Sequence, residues 1–227
     1  MNLQITELED IRTKLLVAYE RQPYEIKMDD IQLNVCKGVF PPNVAMSTPM
    51  LMQSLKNFAP YVALDMGCGT GILAIQMERY GCERVIAADI NPEAVACTRH
   101  NAKRNGANHI ETVESDLFMS LPKATIFDLI VFNQFYYPSD IDWFGPSWDG
   151  GAQIVTRFFD EAAKWLAPDG VILMSFADVA GAENDPAPIA MARGFSVEPH
   201  IYIENESGSE RVYVMSKSDG RQMTTDD

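Results

Sequence analysis

Apolar and polar positions change period several times along this chain, and the changes mark out its elements. Over residues 6–20 the apolar side chains Leu8, Ile11, Leu15 and Ala18 recur at three- and four-residue spacing, which predicts one amphipathic helix. Arg21-Gln22-Pro23 breaks it. Ile26, Met28, Ile31, Leu33 and Val35 then alternate with polar residues on either side of Asp29-Asp30, the pattern of a β-hairpin. Val39-Phe40-Pro41-Pro42 reads as an extended connector. Thr48 as N-cap and Pro49 at the first helical position predict a second helix, which Pro60 ends.

Beyond Pro60, strand and helix signals alternate. Short apolar runs predict strands at 61–66, 84–88, 110–113, 127–132 and 171–176. Helical stretches fall at 72–80, from Pro92 to before Gly106 with Asn91 as N-cap, and at 153–166 before Pro168-Asp169-Gly170. The run at 127–132 is nearly all apolar and belongs in the centre of a sheet. Two last strands, at 196–203 and 211–215, are joined through Asn205-Glu206-Ser207-Gly208 and form an antiparallel hairpin. The sum is an α/β fold: a doubly wound, seven-stranded, mostly parallel sheet with helices on both faces. Residues 1–45 make an N-terminal helix-and-hairpin cap, 46–217 the main domain and 218–227 a polar, flexible tail.

Charge narrows the partners. A chain of 227 residues with 47% hydrophobic and 22% charged residues has the composition of one globular α/β domain. Its net charge of −14 repels phosphate backbones, so a nucleic-acid partner is disfavoured. Arg99, Lys103 and Arg104 read as a solvated helix face. Cys36, Cys68, Cys82 and Cys97 have no C-x-x-C or zinc spacing, which predicts reduced thiols and no metal site. The acidic first residues do not resemble a signal peptide, and no apolar run approaches the roughly 20 residues of a membrane helix. A cytoplasmic protein without a membrane partner is the expectation.

The chemistry concentrates at Val62-Ala63-Leu64-Asp65-Met66-Gly67-Cys68-Gly69-Thr70-Gly71, a buried strand breaking into a glycine loop that opens a helix. Alternate glycines let a ligand approach the backbone, and a helix N-terminus presents free N–H groups. The spacing is not that of a dinucleotide fingerprint: G-x-G-x-x-G needs a third glycine at position 72, which is Ile72. That opposes a nicotinamide oxidoreductase. Asp65 stands upstream of the glycines, Asp89 closes the second parallel strand where an acid can accept from ribose hydroxyls, and Asp116 follows the third. Three acids round one cleft suit an adenosyl ligand with positive character and would repel a pyrophosphate. The plainer alternatives are a tight strand–helix turn for the glycines, a helix-start acid for Asp89 and a surface acid for Asp116.

On these residues the chain resembles the class I S-adenosylmethionine-dependent methyltransferases. Asp65-Met66-Gly67-Cys68-Gly69-Thr70-Gly71 is similar to that family's first motif, Asp89-Ile90 to its ribose-binding acid and following apolar residue, and Asp116-Leu117 to its adenine-contacting pair. The resemblance implies a Rossmann-like methyltransferase fold. It also implies S-adenosyl-L-methionine as cofactor, S-adenosyl-L-homocysteine as product, and Asp65, Gly67, Gly69, Gly71, Asp89, Ile90, Asp116, Leu117, Asn133 and Thr48 as cofactor-binding residues. A narrower resemblance is to the release-factor glutamine and amino-directed branch, through Val39-Phe40-Pro41-Pro42, Thr48-Pro49 and Asp149-Gly150-Gly151. Those enzymes carry Asn-Pro-Pro-Tyr after the fourth strand; this chain has Asn133-Gln134-Phe135-Tyr136, matching at the outer two positions and lacking both prolines.

The resemblance implies Asn133 and Tyr136 as catalytic residues, the first accepting hydrogen bonds from a planar amino or amide group and the second stacking on it. Asn133 as a strand cap and Tyr136 as a packing aromatic are the alternatives. In-line methyl displacement requires alignment more than chemistry, and no metal. Phe135, Tyr136, Tyr137, Trp143, Phe144 and Trp148 make the following loop either a lid over a planar substrate or a local apolar cluster. His100, His109 and His200 follow no strand end and read as surface residues. The expected function is methyl transfer to nitrogen on a small molecule or protein side chain. An O-methyltransferase of a small metabolite and a non-catalytic cofactor-binding regulator are the alternatives.

Overall fold

In the computed structural model the described residues are 2–134, 151–205 and 208–218. The chain opens with α1 (Asn2–Glu20), then a hairpin of β1 (Tyr24–Met28) and β2 (Ile31–Val35) and a helix α2 (Ser47–Leu55). The alternating part runs β3 (Val62–Met66), α3 (Ile72–Arg79), β4 (Arg84–Asp89), α4 (Pro92–Arg104), β5 (Ile110–Glu114), β6 (Phe127–Phe132), α5 (Gly151–Trp165) and β7 (Leu166–Ala177). Two 3-10 turns, α6 (Pro186–Met191), β8 (Phe195–Asn205) and β9 (Gly208–Lys217) complete it.

Seven strands form one sheet in the order β5-β4-β3-β6-β7-β9-β8. The first five are parallel, and β9 runs antiparallel to both β7 and β8. Winding goes outward from β3 to β5 and returns to β6 beside β3. The crevice at the carboxyl ends of β3 and β6 is therefore the switch point at which such sheets bind ligands.

Period-two alternation divides the core between the two faces. Leu64, Met66, Ile130 and Phe132 point to the face covered by α5 and α6, where Phe118, Phe158 and Trp165 stack with centroids 5.3 and 5.5 Å apart. Ala63, Leu129 and Val131 point to the face covered by α2 and α3. The small α6 was not expected, although it opens as α4 does, with Asp185 as N-cap accepting the Ala187 N–H and Pro186 at the first position.

The β1–β2 hairpin does not join the main sheet. It docks on α4 through asparagine side chains that act as a neighbouring strand would. Asn101 Oδ1 accepts the Asn34 N–H (2.8 Å) and its Nδ2 donates to the Asn34 carbonyl (2.9 Å). Asn105 repeats this with Gln32 at 3.0 and 2.7 Å. Four residues is about one helical turn, so the two amides match alternate backbone positions of β2. The same docking brings Cys36 against Cys97, and the two form a disulfide, which corrects the expectation of four reduced thiols. They are 61 residues apart in sequence, and only the docked hairpin makes them neighbours. Cys68 and Cys82 are free and buried. Among the described residues no helix is long and apolar enough to cross a membrane.

Candidate active site

β3 ends at Met66, and the chain turns through Gly67, Gly69 and Gly71 with φ of +71°, +53° and +79°. The N–H groups of Gly67 and Cys68 both donate to the Ala88 carbonyl on β4, at 2.8 and 3.0 Å. From outside, α4 grips the loop: Thr98 Oγ1 donates to the Gly69 carbonyl (3.0 Å) and Asn101 Nδ2 to the Thr70 carbonyl (2.9 Å). Both side chains are fully buried. Gly71 meets two demands at once. Its φ is left-handed, and a Cβ there would lie 2.7 Å from Thr98 Cγ2. Thr98 and Asn101 carried no motif; their only signal is a polar residue repeating on the apolar face of an amphipathic helix.

The loop borders a cavity of about 370 Å³, within the usual range for small-molecule sites. Gly67, Gly69, Asp89, Ile90, Asp116 and Leu117 line one end, and Thr48, Asn133 and Gln134 also stand in its wall. Asp65 and Gly71 do not. Asp65 is 1% exposed, and its Oδ2 accepts the Ala74 N–H of α3 at 3.0 Å. Burial pushes its carboxyl up to about 7, opposed by that hydrogen bond and reinforced by the charge of Asp89. The pleat explains the placement: Asp65 shares the side of β3 that faces α3, so it braces strand to helix instead of meeting a ligand directly.

Asp89 is presented for binding. Its Oδ2 accepts the Gly69 N–H (3.0 Å) and its Oδ1 the Asn91 N–H (2.9 Å), and the Ile90 N–H also bonds the carboxylate, which with about four acceptor positions keeps capacity for a ligand. Burial holds its carboxyl above the ordinary range, against these backbone hydrogen bonds. Ile90 beside it is 49% exposed, an apolar surface open to the cavity. Past β5, Ser115 Oγ donates to the Leu117 carbonyl (2.7 Å) and holds Leu117 at φ +49°. Asp116 pairs with Arg157 Nη2 of α5 at 2.7 Å, a partner that sequence reasoning missed because Arg157 looks like any solvated helix position.

At the other end, Asn133 is pinned from both sides. Its Nδ2 donates to Thr48 Oγ1 (3.1 Å), and Ser175 Oγ of β7 donates to its Oδ1 (2.7 Å). Thr48 is not an N-cap as expected: α2 begins at Ser47 after Met46, and the Thr48 hydroxyl turns to Asn133 instead of a first-turn N–H. Ser175 had no signal in the sequence beyond one polar residue in an apolar strand. Tyr136 and the rest of the aromatic loop, from Phe135 to Trp148, lie outside the described residues. Among the described residues no group of three or more His, Cys, Asp or Glu side chains could hold a metal ion.

A glycine loop at the switch point, carboxylates on the next two strand ends and this sheet order define a Rossmann-like α/β domain of the methyltransferase type. The profile of the methyltransferase small domain family matches residues 30–195, and the chain belongs to that family. It is an S-adenosylmethionine-dependent methyltransferase. A protein of Methanocaldococcus jannaschii, provisionally named a protein N5-glutamine methyltransferase, is 31% identical over 181 residues, which cover 76% of this chain and 89% of the relative. The ribosomal protein L11 methyltransferase of Heliobacterium modesticaldum is 26% identical, over 85% of this chain and 56% of its own length. Among solved structures, the 16S rRNA N2 G1207 methyltransferase of T. thermophilus, in complex with AdoMet and guanosine, aligns with a TM-score of 0.66 at 18% identity. That alignment covers 86% of this chain and 50% of that one.

Proposed function

We propose that the enzyme methylates nitrogen on a planar amide or amino group, foremost the side-chain amide of a protein. The observation that carries this reading is Asn133, pinned by Thr48 and Ser175 in the wall of the cavity that the glycine loop borders. Relatives named for glutamine and ribosomal-protein methylation support a protein acceptor. The net charge of −14 weighs against a nucleobase in a long phosphate chain.

The residues fit the cofactor. Gly67 and Gly69 have positive φ and leave space a Cβ would narrow, with Phe132 and Val39 3.6 and 4.0 Å from the added atom. The remaining acceptor capacity of Asp89 suits a ribose hydroxyl, Ile90 and Leu117 the faces of an adenine, and the Asp116 carboxylate its amino group. When bound, S-adenosylmethionine supplies a methyl group on a cationic sulfur. Asn133 Oδ1 has one lone pair engaged by Ser175, and its second accepts an N–H of the acceptor. That hydrogen bond aims the nitrogen and strengthens as positive charge develops there. Thr48 and Ser175 hold the Asn133 amide in place in the cavity wall. The resemblance gives Tyr136, outside the described residues, the role of stacking on the acceptor plane.

The test is transfer of labelled methyl from S-adenosylmethionine to glutamine-containing proteins and, in parallel, to rRNA and small metabolites. Label in protein, stable to base and released as N-methylglutamine on enzymatic digestion, is the expected result. Label only in RNA or in an oxygen ester would overturn it.

A further inference from the structure

At the Asp116 end the cavity has a wall that no motif marked. It comes from α5, whose Ile154 and Arg157 both line the cavity. Three positions apart, they share one face of the helix, while Val155, Phe158 and Phe159 are buried in the core. Arg157 is the one cationic side chain among the described residues of the cavity wall. In a cavity assigned to a cationic cofactor, an unneutralised cation would oppose binding. Asp116 neutralises it: Arg157 Nη2 donates to Asp116 Oδ2 at 2.7 Å. Both side chains are open, Arg157 at 53% and Asp116 at 32%, so neither is closed to a ligand. An ion pair this exposed contributes little to folding, which leaves its place in the wall to be explained. The backbone on either side of Asp116 is fixed without it. The Ser115 N–H donates to the Asp89 carbonyl (2.9 Å), and Ser115 Oγ donates to the Leu117 carbonyl (2.7 Å). What that turn leaves free is rotation of the Asp116 side chain, and Arg157 holds it.

We infer that Arg157 is a positioning residue that sets the preference for adenine: by holding Asp116 Oδ2 it leaves Oδ1 to accept the 6-amino N–H of the base. An ionised carboxylate accepts and does not donate, so on that edge it favours an amino group over a bare C–H. A freely rotating carboxylate gives back part of that preference in side-chain entropy. One held by a charge-assisted hydrogen bond meets the base already oriented. Arg157 thus acts on the base through Asp116 and does not touch the reacting atoms. This inference rests on the reading that puts adenine against Asp116 and Leu117.

The test uses the full chain, S-adenosylhomocysteine and its analogue with purine in place of adenine, which lacks only the 6-amino group. Calorimetry measures both affinities. Wild type is expected to prefer the adenine ligand about tenfold, the scale of one charge-assisted hydrogen bond. Arg157→Met keeps an apolar stem, removes the cation and is expected to cut that preference to about threefold or less, at unchanged thermal stability. Arg157→Ala gives the same comparison if methionine perturbs the fold. The ratio of the two affinities is the decisive readout, because a merely structural loss would weaken both ligands alike. Asp116→Ala is expected to abolish the preference, and adding Arg157→Met to it is expected to leave the ratio where it is. A full preference retained without Arg157, or a double variant whose ratio differs from that of Asp116→Ala, would overturn the role of Arg157 alone. Equal binding of the two ligands by wild type would overturn the adenine assignment and this inference with it.

Discussion

The two ends of the cavity are built differently. At the glycine-loop end the working groups are held mainly by backbone: Gly67 and Cys68 are tied to the Ala88 carbonyl and Asp89 to the Gly69 and Asn91 N–H groups, while the side chains of Thr98 and Asn101 brace the loop carbonyls from outside the cavity. At the Asn133 end the groups are held by side chains from α2 and β7, and Gln134 beside them has no partner among the described residues. Backbone-held geometry tolerates almost any side chain that keeps the path of the chain, and it serves one fixed ligand. Side-chain-held geometry changes with each substitution, which suits the end that must differ between enzymes of different acceptor.

The sharpest break of this contrast is Asn133→Ala. It is expected to lower turnover about 10²–10³-fold, the scale of losing one preorganised polar contact to the reacting centre, while S-adenosylhomocysteine affinity changes far less. Single-turnover methyl transfer beside calorimetry measures both, and unchanged turnover would remove Asn133 from the chemistry. Next in size is Gly71→Ala. The added Cβ meets Thr98 at 2.7 Å in a left-handed backbone, and a stability loss of about 2–4 kcal/mol is expected in urea unfolding. A loss no larger than that of a surface substitution would mean that α4 can retreat from the loop.

Asp89→Ala is expected to weaken cofactor binding by about 1–3 kcal/mol, with turnover at saturating cofactor less affected. Unaltered affinity in calorimetry would defeat the ribose assignment. The remaining test is a pH dependence. Asp65 holds its proton in the folded state up to about 7, whereas an ordinary aspartate loses it near 3.8. The folded state therefore carries more protons than the unfolded state within that window, and Asp65 takes stability away as pH rises through it. Asp65→Asn keeps an acceptor for the Ala74 N–H and lacks the titration. Its stability relative to wild type should grow from pH 4 to 7 and then level. A flat difference across that range would mean that Asp65 ionises normally where it sits.

The glycine-loop end was legible because its requirements are local. Positive φ at Gly67, Gly69 and Gly71, an acid at the end of the next strand, and Asn91-Pro92 opening α4 are properties of consecutive residues. Thr98, Asn101, Arg157 and Ser175 were not legible, because each acts on a residue 29 to 42 positions away and looks ordinary in its own element. Even Asp65, correctly placed at the head of the loop, faced the other way: the motif fixes its position in the chain, while the pleat of β3 decides which side it occupies.

Sequence alone determined the order of elements, the switch from strand to glycine loop, the acids after β4 and β5, and the departure from Asn-Pro-Pro-Tyr at Gln134 and Phe135. Periodicity, capping and turn chemistry are short-range, and they carry that much. Tertiary structure decided that Cys36 meets Cys97, that two asparagines of α4 take the place of a strand beside β2, and that Asn133 is held from α2 and β7. Those pairings follow from which faces pack, and packing sums contributions from the whole chain. The contrast between a satisfied Asn133 and an unsatisfied Gln134, adjacent in sequence, exists only in the folded molecule.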